Sequence, residues 1–189
     1  MMLIDLIRKN RSYRRFHQEV QVPIKLLHEM VEAARLSPSA RNMQPLKYML
    51  FNTPEECERI FPTLAWAGYL KTWPGPAEGE RPSAYIVQLA DLELATDWWC
   101  DDGIALQSML LTAVEQGFGG CIIGSVQREK LRKILEIPER YKILQVLALG
   151  KPAEEVVIDP VSEGDIKYWR DQSGVHHVPK RSMEELILE

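Results

Sequence analysis

Cysteine is scarce in this chain: Cys57, Cys100 and Cys121 are an odd set of three with no CxxC spacing. Neither a disulfide framework nor a zinc site fits that set, whereas reduced thiols in a cytosol do. Long apolar runs are missing as well. None approaches the roughly 18 residues needed to span a bilayer, and no charged leader with an apolar core opens the chain, so a soluble, cytoplasmic protein off the membrane is expected. A surplus of positive charge is also missing: 23 basic side chains stand against 27 acidic ones, a net charge of -4. A dedicated nucleic-acid binder needs the opposite balance to displace counterions, so nucleic acid is not expected as a partner. No GKS/T loop, nucleophile elbow or HExxH motif occurs. His176 and His177 are adjacent, point to opposite faces of an extended segment and make a poor chelate, so two surface histidines and no metal are expected.

What is present is organised around Asp101 to Ser125. Asp101 or Asp102 can cap a helix that runs to about Gln116, and apolar residues from Ile104 to Val114 wrap more than one side of it. Such a helix must be covered on most faces. Gly117 fits a left-handed cap, Gly119-Gly120 a tight bend, and Cys121 to Ile123 a short buried strand before the bare backbone of Gly124. GFGGCIIG follows a helix and leads into a strand, the wrong order for a Rossmann phosphate loop. A core helix with an ordinary turn, and bare glycines open to a flat ligand, both fit these residues.

Upstream, Leu3 to Ile7 give a short amphipathic helix that delivers the basic run from Arg8 to Phe16. In extended form Ser12, Arg14 and Phe16 share one side and Arg11, Tyr13 and Arg15 the other. Two guanidinium groups beside a hydroxyl suit a phosphate, although a solvated basic surface fits this segment at least as well. Pro23 opens a helix ending near Leu36, and Pro38 starts a polar loop through Pro45. In that loop the amides of Asn42 and Gln44 suit the edge of a heteroaromatic ring or simple self-capping of the loop. Lys47 to Phe51 and Ser83 to Ala90 read as strands, Thr53 to Glu56 as a capping-box helix start, and Lys142 to Leu149 as a further strand. With Cys121 to Ile123 these make four strands. Residues 66–82 mix Trp66, Tyr69 and Trp73 with proline and glycine and read as a flap or a pinned loop. Residues 153–181 show little periodicity, the mark of a tail that packs over something, before Ser182 and Glu185 cap a last short helix.

Five pieces in order resemble the FMN-dependent nitroreductase family across nearly the whole chain. They are Arg11-Ser-Tyr-Arg-Arg-Phe16, Ser37-Pro-Ser-Ala-Arg-Asn-Met-Gln-Pro45, Asp102-Gly-Ile-Ala-Leu-Gln107 with Gly117-Phe-Gly-Gly-Cys-Ile-Ile-Gly124, Leu149-Gly-Lys-Pro152, and Pro179-Lys-Arg181 with Glu184-Glu185. The chain departs from the usual pattern at Asn10 and Leu46. The resemblance implies an α+β fold with a mostly antiparallel central sheet flanked by helices, in one domain over residues 1–189, assembled as an intertwined homodimer. Residues 153–189 would then be an extension packed on the partner subunit. It implies FMN held by Arg11, Ser12 and Arg14, by Lys180 and Arg181 from the other end, by Ile123 and Gly124 through backbone, and by Pro38, Ser39 and Asn42, with Gln44 beside them, from the partner. NAD(P)H would reduce the flavin, and a small acceptor such as a nitroaromatic or quinone would reoxidise it in ping-pong fashion. Trp66, Tyr69 or Trp73 would stack on that acceptor. A different flavin reaction on the same fold, reductive dehalogenation or flavin cleavage, and a flavin-binding module without turnover are the alternatives.

Overall fold

The computed structural model of the protein describes residues 2–188. In chain order its elements are α1 (Leu3–Lys9), β1 (Phe16–His17), α2 (Ile24–Leu36), β2 (Leu46–Phe51), α3 (Pro54–Ile60), β3 (Ala84–Asp91), α4 (Asp101–Glu115), β4 (Gly119–Ile123), α5 (Arg128–Leu135), β5 (Tyr141–Pro152), β6 (Val156–Pro160), β7 (Trp169–Arg170), β8 (His176–Lys180) and α6 (Met183–Leu186). β2, β3 and β5 lie side by side, and β4 and β1 share the far edge of β5, every pair antiparallel. The expected α+β class with a mostly antiparallel central sheet is therefore present.

β3 is buried at every position because both sheet faces are covered. Ala84 and Ile86 enter a core with Leu27 and Met30 of α2 and Leu106 and Met109 of α4. Tyr85 and Val87 enter a second core with Cys57 and Ile60 of α3 and Leu131 of α5. Strand alternation thus separates two helical layers across one sheet.

Three expectations change. α4 is not covered all round within this chain: Ala105, Leu106, Met109, Leu110, Ala113 and Val114 are buried, Gly103 and Gln107 are exposed, and Ile104 and Leu111 lie between. Its N-cap is Cys100 without a side-chain cap bond, because the Asp101 carboxylate is turned to the 39–44 loop instead. Gly119 and Gly120 make no bend. They begin β4, where a Cβ on Gly120 would fall 2.4 Å from the Ala148 carbonyl oxygen, so their role is close approach. The left-handed turn is at Gly117 alone, with φ 77°.

The tail is more ordered than its sequence reads. β5 runs on to Pro152 because β1 pairs with Lys151 and Pro152. Beyond it, β6 and β8 pair in parallel and β7 adds antiparallel, a second sheet of three strands. Strands of two to five residues separated by turns leave no periodicity to detect. This small sheet folds back on the N-terminal basic segment of the same chain. The buried Glu154 carboxylate accepts from the backbone N–H groups of Arg14 and Arg15, and Ala153 N–H donates to Arg15 O at 2.9 Å.

Candidate functional site

After α1 the chain is extended along the free edge of β4. Ser12 bridges Gly120, and Tyr13 N–H donates to Gly120 O at 3.1 Å. A Cβ on Gly119 would sit 2.6 Å from the Tyr13 ring, so the glycine pair is what admits the basic segment against the strand. Alternation then separates the arginines. Arg15 forms an ion pair with Glu80, its Nε 2.8 Å from Oε2, while Arg14 turns toward β8.

Two adjoining pockets meet at Arg14. One, of about 280 Å³, is lined by Asn10, Arg11, Ser12, Arg14, Tyr168, His176, Val178 and Lys180. Three cations and a hydroxyl converge there, and the buried Nε of Arg11 has no partner among the described residues. The departure at Asn10 is accommodated within the wall, where its amide donates to Gln107 Oε1 at 3.2 Å. The other, of about 120 Å³, is lined by Arg14, Ala65, Trp66, Ala67 and the end of β4 from Cys121 through Gly124 to Ser125. A Cβ added to Gly124 would meet nothing within 4 Å, so the strand ends on open space. A phosphate fits the first pocket and a flat ring the second, with Arg14 touching both. Cys121 supplies no nucleophile beside them, because burial pushes its thiol up against the opposing pull of Arg14.

Of the expected flavin ligands, Arg11, Ser12, Arg14, Lys180, Ile123 and Gly124 are brought together in this way. Arg181 stands apart, exposed and paired with Glu185 at 2.8 Å. Pro38, Ser39 and Gln44 line a separate and larger cavity of about 600 Å³ between α2 and β2, and Asn42 is exposed beside it. That cavity is larger, but its charges are mixed and no group of cations converges in it, so the pockets at Arg14 are the better anion site.

The 39–44 loop is nevertheless held in an unusual shape. Arg41, Asn42 and Gln44 all have positive φ, 52°, 56° and 49°, which side-chain-bearing residues seldom adopt. Asp101, 3% exposed, fixes the loop: Ser39 Oγ donates to it at 2.6 Å and Ala40 N–H at 2.9 Å, and Ser39 Oγ accepts from Gln44 N–H at 2.9 Å. Strain held by a buried carboxylate is a mark of functional loops.

Residues 66–82 contain no strand or helix. Ala65 N–H donates to Ser125 O at 2.9 Å, which places Trp66 beside Gly124. The Tyr69 ring lies 4.9 Å from that of Tyr168, and the Arg170 guanidinium sits 4.5 Å over the Trp73 ring. Of the three flap aromatics, only Trp66 lines the glycine pocket. No sequence signal marked Asp101 as a loop anchor or placed Glu154 and Tyr168 at the site. His176 is buried where a surface residue was expected, and the burial along β8 does not alternate, so no local pattern marked it. Among the described residues no helix is long and apolar enough to cross a membrane, and no group of three or more His, Cys, Asp or Glu is placed to hold a metal ion.

Comparison with known proteins adds to this geometry. A model described as the nitroreductase family matches residues 7–75 and 94–151. A Methanothermobacter thermautotrophicus relative, named for NADH dehydrogenase and NAD(P)H nitroreductase, is 29% identical over 160 residues, covering 82% of this chain and 79% of its own. An iodotyrosine deiodinase from Thermotoga neapolitana is 25% identical over 187 residues, covering 88% and 97%. Among solved structures, an FMN-dependent nitroreductase from Clostridium difficile R20291 superposes with a TM-score of 0.64 at 23% identity, covering 81% of this chain and 89% of that one.

Proposed function

This chain belongs to the nitroreductase family, and on that premise we propose that it is an FMN-dependent NAD(P)H oxidoreductase reducing nitroaromatics, quinones or similar small acceptors. The observation that carries the reading is the pair of pockets joined at Arg14, one cationic and one ending on the bare backbone of Gly124. Arg11, Ser12 and Lys180 would hold the phosphate of FMN, Arg14 would serve both pockets, and Ile123 and Gly124 would offer backbone to its ring. Bound there, FMN would supply the redox chemistry that links oxidation of NAD(P)H to reduction of the acceptor. No side-chain acid or base is required. Trp66, with Tyr69 and Trp73 behind it, forms the wall on which an aromatic acceptor stacks.

The second half of each site comes from a partner subunit. Exposed Leu3, Ile4 and Ile7 of α1, the half-covered side of α4, and exposed Met183, Leu186, Ile187 and Leu188 at the C-terminal end are apolar surface that a homodimer would cover. In that dimer Pro38, Ser39, Asn42 and Gln44 would reach the partner's flavin, and the extension from residue 153, described to residue 188, would pack on the partner. The iodotyrosine deiodinase relative favours one further reading, reductive dehalogenation at the same site. Steady-state assays of the FMN-loaded protein with NADH or NADPH against a nitroaromatic, a quinone and a halogenated phenol separate the two by product. Turnover of the first two supports the oxidoreductase reading, halide release alone supports the second, and slow cofactor oxidation with every acceptor opposes both.

A further inference from the structure

Three arginines, Arg14, Arg15 and Arg170, gather where the small three-stranded sheet meets the N-terminal basic segment, and they are held differently. Arg15 is paired with Glu80, and Arg170 with Glu154 at 2.7 Å. Both are thereby neutralised by a carboxylate. Arg14, the one shared by the two pockets, has no carboxylate on its guanidinium; its Nη1 donates instead to Ser12 O and lies 3.2 Å from Nε2 of His176. Among the described residues His176 supplies the one side-chain nitrogen acceptor for that guanidinium, with the buried Cys121 thiol beside it as a weak second partner.

The chemistry of the pair is fixed by its donor. A guanidinium offers N–H groups and no lone pair, so Nε2 must be the acceptor and the neutral ring carries its proton on Nδ1. The imidazole is 1% exposed, with the Tyr168 ring 5.2 Å away. Burial first, then the charge of Arg14, pulls its pKa down to about 4, with Arg170 and His177 adding to the shift and Glu154 opposing it. His176 is therefore uncharged at neutral pH. A carboxylate in its place would also orient the guanidinium but would cancel its charge; a neutral acceptor orients and leaves the charge free. Orientation matters for a long side chain with many rotamers.

We propose that His176 is a positioning residue of the cofactor site: a neutral acceptor that fixes the Arg14 guanidinium where the cationic and glycine pockets meet and leaves its full charge for the bound flavin. The proposal rests on the flavin reading above. It gives the buried histidine, the Tyr168 ring over Arg14 at 4.9 Å and the fold-back of the small sheet one common purpose.

The test uses the full chain stripped of cofactor and titrated with FMN, reading the dissociation constant by flavin fluorescence and then the midpoint potential by anaerobic titration. His176→Gln keeps an acceptor near the Nε2 position, and His176→Phe fills the ring volume without one. His176→Phe is expected to weaken FMN at least about tenfold and to lower the potential by about 30 mV, the equivalent of a tenfold loss of preference for reduced over oxidised flavin. His176→Gln is expected to stay within about threefold of the wild type, and His176→Phe to change nothing further in an Arg14→Gln background. If His176→Phe does not fold, His176→Asn, whose shorter amide cannot reach Arg14, takes its place in the same comparison. Equal constants and potentials for Phe and wild type, a parallel fall of Phe and Gln, or additive effects with Arg14→Gln would overturn the proposal while leaving the flavin reading intact. Failure of the wild type itself to bind FMN would overturn the flavin reading and the proposal with it.

Discussion

Two glycines in one strand region separate structure from function at the level of single residues. A methyl group on Gly120 has no room, with Ala148 O at 2.4 Å and Leu149 Cδ2 at 2.9 Å, whereas one on Gly124 meets nothing. Gly120→Ala should therefore cost about 1–3 kcal/mol of stability by overpacking. Gly124→Ala should leave the melting temperature unchanged yet weaken FMN, because its methyl stands where the ring would lie. Thermal melts beside flavin titrations check the pair, and equal flavin affinity for Gly124→Ala and wild type would count against the ring's placement. The adjacent histidines make a second contrast. The folded pKa of His176 is depressed to about 4 from an ordinary 6.5, so the unfolded chain binds its proton more readily, and stability falls as pH drops from about 6.5 toward 4. The groups facing that ring are Arg14, Glu154, Arg170 and His177, with the Tyr168 ring tilted beside it. His177 is shifted the other way, raised chiefly by its hydrogen bond to Asp159, so its contribution is present below its unfolded pKa and lost as pH rises through the folded value. Between pH 7 and pH 4.5 the wild type should lose more melting temperature than His176→Gln; parallel curves would contradict the assignment.

At the level of elements, what could be read locally was read well. Pro23 and the helical spacing of Leu27, Met30 and Ala34 fixed α2, and the Thr53–Glu56 capping box is formed with Glu56 N–H donating to Thr53 Oγ1 at 3.4 Å. The strand at Ser83 to Ala90 was equally plain from its nearly unbroken apolar run, and β3 is buried at every position. What escaped were contacts between distant segments. Asp101 caps nothing because Ser39, far upstream, takes its carboxylate, and no local rule ranks one use above the other. β6, β7 and β8 are short strands whose stability lies in their pairing and in Glu154, not in pattern. Part of the expected site was legible because Arg11, Ser12 and Arg14 sit on one stretch, while His176 joins them only through that pairing. The loop anchor gives the prediction at this scale. Asp101→Asn weakens two charge-assisted hydrogen bonds to a loop with three left-handed residues, so stability should fall by about 1–3 kcal/mol, measured by urea unfolding. No change in midpoint would mean that the loop holds its shape unaided.

The whole molecule leaves apolar surface unused. α1 presents Leu3, Ile4 and Ile7 outward, and Leu188 is 94% exposed. Light scattering should return twice the 21.7 kDa chain mass, and Ile7→Asp should shift the protein toward monomer with loss of flavin, since Ser39 and its loop would no longer reach the partner's site. A monomeric wild type that binds FMN fully would refute the shared site. A net charge of -4 with Arg11, Arg14 and Lys180 around one pocket fits a protein that gathers positive charge locally at an anion site. The central claim, that those cations and the bare end of β4 hold a redox-active FMN, is tested most directly by one spectrum. The purified protein is mixed with FMN, desalted, and titrated anaerobically with NADH and then NADPH. The account predicts a flavin absorption band that survives desalting and bleaches with a nicotinamide; a band that is washed away, or one that persists through both additions, would contradict it.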